Sequence, residues 1–289
     1  MPETFHIETP RDFDFEALIT RMGTDVLYQV RNGYLYRAVR LGDAEVLLRL
    51  GAGDGGIKVD LLSGEAASEA VARYVRDWFD LDRDLSGFYA LEDGVIAPLI
   101  RRYRGLRMVA IPDLYEALCW AVIGQQVNLT FAHKVKKAFV EFCGAKISHD
   151  GTDYWRFPDP QAVAALDPDV LMPLQFSRRK AEYVIGIAQE IAEGRLAREA
   201  LLGMASEEQA RHLTAIRGVG AWTANYVMMK SLGEMTALPA GDAGLQNALK
   251  GHLGLGRKPS VAEIEAMAAN WAPWQAYATY YLWRTLSDG

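Results

Sequence analysis

The chain is poor in cysteine. Two thiols, Cys119 and Cys143, in 289 residues cannot build a disulfide framework, a four-thiolate zinc site or an iron–sulfur cluster. Both lie in apolar helical patterns and read as small core residues. Histidine is scarce as well: His6, His133, His149, His212 and His252 show no HxxxH or HxH spacing, so no zinc ligand set emerges. Long apolar runs are missing, the longest covering 117–123, far below the roughly 20 residues of a membrane span. The opening MPETFHIETPRDFDFE carries acids where a secretory signal needs a basic start and an apolar stretch. A cytoplasmic protein without a membrane partner is expected. There is no fixed-period repeat and no low-complexity segment. A basic excess is also missing: 31 Lys+Arg against 37 Asp+Glu leaves a net charge of −6. That balance disfavours a nucleic-acid partner only for the surface as a whole. RRYRGLR at 101–107, HKVKK at 133–137 and SRRK at 177–180 concentrate positive charge locally, although each alone also fits a solvated helix face.

What is there describes a folded chain. A composition of 50% hydrophobic, 10% aromatic and 24% charged residues excludes disorder, collagen-like repeats and an extended coiled coil. The length suits two domains, and burial of roughly three quarters of the unfolded surface makes disulfides and metals unnecessary for a core.

The chain changes character near residue 100. Before it, FHIE, VLYQVRNG, YLYRAVRLG, AEVLLRLG and GIKVDLL read as short strands, and Asn32-Gly33 is a strong hairpin signal. A helix over 65–79 follows. From 108 onward the reading is helical almost throughout. Asp113 and Glu116 have capping-box spacing, Gly124 ends that helix, and Asn128 opens the next. Further helices begin near Ser177 and run approximately over 206–215, 221–232, 243–253, 260–271 and 273–286. The expected fold class is α+β: an antiparallel sheet domain with flanking helices over 1–107, then a helical bundle over 108–289.

Two amphipathic helices in EEQARHLTAIRGVGAWTANYVMMKSLG are joined by Arg217-Gly218-Val219-Gly220. Glycines two apart permit a tight hairpin whose backbone N–H groups open the second helix, a phosphate site in principle. A plain αα-hairpin would show the same two glycines. The longer string shifts the balance. IGQQV at 123–127, GVGAWTANY at 218–226, LPAGD at 238–242 and PWQAY at 273–277, in that order, resemble the DNA-3-methyladenine glycosylase II family of helix-hairpin-helix glycosylases.

The resemblance implies a monofunctional glycosylase that flips alkylated bases from double-stranded DNA and leaves an abasic site. Asp242, by its own sequence a helix N-cap, becomes the essential carboxylate, set against the cation left on the sugar when the bond dissociates. Trp222, Tyr226 and Trp274 become the walls of the base pocket, where cation–π attraction favours a base made cationic by alkylation. Tyr277 and Tyr281 are read as core. Gly218, Gly220 and Thr223 are expected at the DNA. So are Gln125 and Gln126, which are otherwise ordinary turn residues, and Gln126 takes the position of the wedge that fills the gap left by the base. No cofactor is implied beyond a monovalent cation on the carbonyls of Thr214, Ile216 and Val219, and the protein is expected to act as a monomer. Two other classes stay open. A non-catalytic DNA-binding hairpin would not need Asp242. A glycosylase-lyase for oxidised bases would need a Schiff-base lysine two residues after Gly220, where Trp222 stands, and Lys230 lies more than two helical turns further on.

Overall fold

The computed structural model describes residues 3–22 and 25–288. Five strands, β1 (Glu3–Glu8), β2 (Tyr28–Arg31), β3 (Tyr34–Leu41), β4 (Ala44–Gly53) and β5 (Gly56–Ser63), form an antiparallel sheet in the order β1-β5-β4-β3-β2. The β2–β3 connection is the expected Asn32-Gly33 turn, with both residues at positive φ, 52° and 76°, as a tight two-residue hairpin requires. One face of the sheet, including Leu35, Val39, Leu48, Leu50 and Val59, packs on Val71, Val75 and Trp78 of the helix Ser68–Trp78.

The opposite face corrects the expectation of helix almost throughout the second half. Residues 145–156 form a hairpin of β6 (Ala145–His149) and β7 (Thr152–Arg156), turned at Asp150-Gly151 with φ of 47° and 72°. Its Tyr154 stacks on Tyr36 of β3 at 5.6 Å and completes a small apolar cluster with Ala38 and Leu47. The Gln29 amide donates to the Asp153 carbonyl at 3.1 Å. A two-stranded ribbon is marginal alone. Here the sheet supplies the surface that holds it.

The remaining chain is helical and surrounds the helix Leu114–Gly124, which is buried on nearly every side and so lacks an amphipathic pattern. Asp113 caps it, accepting from the Glu116 N–H at 2.9 Å. The change in sequence character and the division of packing fall at different places, because Leu85, Phe88, Ile96, Leu99 and Leu106 join the helical core. Cys119 is fully buried there, and burial pushes its thiol well up. No helix among the described residues is long and apolar enough to cross a membrane.

Charges seal the junction of the two parts. Lys136 lies 3.0 Å from Asp25 and 3.1 Å from Glu116, whose other oxygen takes Arg37 at 2.9 Å. Burial raises the Asp25 carboxyl and Lys136 lowers it, and the net direction is down. A depressed carboxyl contributes stability above its unfolded value of about 4 and loses it as pH falls towards the folded value. Removing one member of a buried pair strands the rest, at a cost of roughly 3–5 kcal/mol. Lys136→Met is therefore expected to lower the unfolding free energy by about that much in urea titrations. A loss under ~1 kcal/mol would mean that the cluster is effectively hydrated.

Candidate active site and DNA-binding hairpin

The helices Ser206–Thr214 and Ala221–Lys230 meet at the glycine turn. Gly218 has φ +92°, and a Cβ there would fall 2.3 Å from the Tyr183 ring, so a side chain is excluded by backbone and by packing. Gly220 is extended and faces open space. Its lack of a side chain leaves the first N–H groups of the second helix accessible. Val219 is buried between the helices and its N–H donates to the Ile216 carbonyl at 3.0 Å.

A second turn, 125–128, stands beside this one and is tied to it. The Gln125 side-chain amide donates to the Gly218 carbonyl and to the Thr223 hydroxyl, both at 3.0 Å. Lys180 donates to the carbonyls of Ile123 and Gln125 at 2.8 and 2.7 Å. The side chains of Gln125 and Thr223 thus brace the two turns against each other and are not presented outward. Gln126 is exposed at the tip with φ +56°. The basic runs are also partly internal. Lys136 sits in the junction cluster, Arg107 donates to the carbonyls of Asp80 and Arg83, and Lys180 serves the turn. Lys134, Lys137, Arg178 and Arg179 remain exposed.

The LPAGD loop brings Asp242 to the mouth of the hairpin. Asn225 on the second hairpin helix accepts from the Leu238 N–H at 3.0 Å and anchors the loop. Asp242 caps the helix Ala243–His252, accepting from the Leu245 N–H at 2.7 Å. Two indoles also donate to it, Trp222 to Oδ1 at 3.1 Å and Trp283 to Oδ2 at 2.8 Å. Both carboxylate oxygens are therefore fixed, and the helix N-terminus complements their charge. A Cβ at Gly244 would lie 2.8 Å from Oδ2, which keeps that position small. The Trp222 and Tyr226 rings stack at 5.7 Å, and Trp283 stands 6.1 Å from Tyr226.

A family profile described as HhH-GPD superfamily base excision DNA repair protein matches residues 119–274. The chain belongs to that superfamily. A DNA-3-methyladenine glycosylase of Bacillus subtilis is 39% identical, over 97% of this chain and 96% of its own. The structure of a 3-methyladenine DNA glycosylase from Archaeoglobus fulgidus superposes with a TM-score of 0.83 at 23% identity, covering 97% of both chains. A Schizosaccharomyces pombe 3-methyladenine DNA glycosylase in complex with abasic DNA matches with a TM-score of 0.58 at 26% identity, over 68% of this chain and 93% of that one.

Within this HhH-GPD framework one expected pocket residue lies elsewhere. Trp274 packs 6.1 Å from Phe88 and 6.4 Å from Tyr277, against Gly87, where a Cβ would lie 3.2 Å from the indole. It is partly buried and packs against the aromatic core of Tyr277 and Tyr281, both fully buried as expected. Trp283 stands at Asp242 instead. The helix Gln275–Thr285 carries two aromatic stripes: Tyr277 and Tyr281 turn inward, while Tyr280 and Trp283 face a cavity. An i, i+3 pair marks the second stripe, and that was the available signal. The cavity holds about 290 Å³ between the sheet and the helices, with Trp120, Tyr226, Lys230, Tyr280 and Trp283 among its walls and Glu116 and Lys136 lining it too. That is the small end of ligand pockets, suited to one heterocycle. Burial pushes the Tyr226 hydroxyl upward and keeps it neutral.

Proposed function

We propose that the protein is a monofunctional DNA glycosylase that flips alkylated bases from double-stranded DNA, hydrolyses their N-glycosidic bonds and leaves an abasic site for base excision repair. One observation carries this reading: the Asp242 carboxylate is held by the indoles of Trp222 and Trp283 between the glycine hairpin and an aromatic cavity. Dissociation of the base leaves positive charge on the sugar, and a fixed carboxylate beside it stabilises that cation without reorganising. The same carboxylate orients the attacking water and takes up its proton. Trp222, Tyr226 and Trp283 offer electron-rich faces to a base made cationic by alkylation. The open N–H groups at Gly218 and Gly220 receive a backbone phosphate, and Gln126 enters the stack as the base leaves it.

The names of the relatives support this substrate class, and the Schizosaccharomyces pombe complex supports DNA as the partner. Trp222 stands where a Schiff-base lysine would attack, and the Lys230 amine is turned to the Val109 carbonyl. The carbonyls of Thr214, Ile216 and Val219 would hold a monovalent cation, which would add positive charge beside the hairpin. Neutral oxygens without thiolate or imidazole suit a hard ion of low charge. The protein works as a cytoplasmic monomer in this reading.

Duplexes carrying a single 7-methylguanine test it. After incubation, free 7-methylguanine should appear well above an enzyme-free control, no strand cut should precede alkali, and borohydride should trap no covalent adduct. Cleavage before alkali, or a trapped adduct, would overturn the monofunctional assignment. No base release above that control would leave a binding protein.

A further inference from the structure

The stripe Trp222, Tyr226, Lys230 recurs every four residues on the second hairpin helix, so one helical face leads from Asp242 into the cavity. Lys230 ends it. Its side chain is buried, its amine donates to the Val109 carbonyl and lies 5.0 Å from the Tyr280 ring, and it makes no salt bridge among the described residues. The neighbouring charges are engaged elsewhere. Glu116 holds Arg37 and Lys136, Asp25 holds Lys136 with His133 at 3.8 Å, and Arg284 is paired with Asp288 at 2.9 Å. Tyr28, Tyr226 and Tyr280 complete the titratable lining, and burial raises the first two hydroxyls. An ammonium carries three N–H donors, and an uncompensated buried charge is costly. Lys230 thus lines the aromatic cavity with a buried amine that has N–H donors beyond the one given to Val109.

Resting on the glycosylase reading above, we propose that Lys230 is the proton donor for neutral purine lesions, extending excision beyond the cationic bases that depart unaided. A cationic alkylated base takes the electron pair of the breaking C–N bond and leaves neutral. A neutral base would leave as an anion unless it gains a proton. In that case a Lys230 N–H proton passes to an acceptor atom on the edge of the base remote from the sugar as the C1′–N9 pair moves onto the ring. Water then captures the sugar cation and gives its proton to Asp242, and solvent reprotonates Lys230. Burial brings the Lys230 amine down to about 7, so it can donate a proton near neutral pH and become uncharged just above it. The uncharged amine does not repel a cationic base, so the two substrate classes should respond to pH in opposite senses.

The test is single-turnover excision of one hypoxanthine, a neutral purine, and of one 7-methylguanine, a cationic one, in otherwise identical duplexes from pH 5.5 to 9. In the wild type, hypoxanthine release should fall as pH rises through about 7, while 7-methylguanine release stays level or rises. Lys230→Met should lower the hypoxanthine to 7-methylguanine rate ratio about a hundredfold, the usual scale of general-acid catalysis, and flatten both profiles. Lys230→Arg, which keeps a donor but cannot release its proton, should bind hypoxanthine duplexes like the wild type and remain slow. Melting temperature confirms folding of each variant, and the wild-type profiles stand as a test even if a variant fails to fold. Equal losses on both substrates, or wild-type profiles with the same slope for both, would overturn the role of Lys230. Release of 7-methylguanine without any release of hypoxanthine by the wild type would overturn it too, leaving the glycosylase reading intact. Failure on both substrates would remove that reading as well.

Discussion

Asp242→Asn should reduce single-turnover base release on the order of a thousandfold, the scale set by loss of a preorganised electrostatic contact. The substitution is nearly isosteric. Asparagine caps a helix about as well as aspartate, so the Leu245 N–H keeps its acceptor and the melting temperature should change little. The Trp283 indole shares that oxygen and keeps its acceptor too, so the Trp222 indole must then face an amide NH₂, and the full negative charge against the sugar cation is gone. Binding to an abasic-site analogue depends on the hairpin and should stay within a few-fold of wild type. Release by a folded Asn variant at near wild-type rate would remove Asp242 from the chemistry and leave it as the N-cap of the helix Ala243–His252.

The second large effect separates two tryptophans nine residues apart. Trp283 donates to Asp242 at 2.8 Å and stands beside Tyr226. Trp283→Ala removes one of the two indole donors and an aromatic wall. Loosening a positioned catalytic group by about 1 Å costs about 10² in rate, and losing a desolvated cation–π contact up to about thirtyfold. Excision should therefore fall roughly a hundredfold or more, with a modest loss of stability. Trp283→Phe keeps the ring without its N–H and should fall in between. Trp274→Ala should do the reverse. Its partly buried ring packs on Phe88 and Tyr277, and truncating a fully packed tryptophan costs roughly 3–5 kcal/mol, an upper bound here, with excision per folded molecule little changed. Melting curves and single-turnover rates on the same three variants decide it. A rate defect confined to Trp274→Ala would return that residue to the pocket.

Much of the site is legible in the primary structure because its parts are local. Gly218 is required by a positive φ and by contact with Tyr183. Asp242 announces itself as an N-cap before a helical run. The Asn32-Gly33 turn and the five amino-terminal strands follow from turn chemistry and alternation, which need only a few neighbouring residues. The β6–β7 hairpin carried a comparable signal in Asp150-Gly151. Its short strands sit among helices and hold only because Tyr154 finds Tyr36 on the sheet.

Sequence alone determined the two glycines of the hairpin, the cap at Asp242, the aromatic at position 222 and the alternation of the sheet, since each rests on backbone geometry within a turn or two. Tertiary structure alone decided which stripe of the helix Gln275–Thr285 meets the cavity. Periodicity pairs Tyr277 with Tyr281 and Tyr280 with Trp283, but the rotation of the helix against Phe88 and Met108 selects the inward pair. Tertiary structure also took Arg107, Lys136 and Lys180 out of their basic runs, because each found carbonyls or carboxylates more than 20 positions away or on the far side of a domain junction. Charge runs in a sequence count side chains without their partners, and a buried cation is defined by the partner that compensates it. For the same reason Gln125 reads as a solvated turn residue until the fold brings Gly218 and Thr223 to its amide.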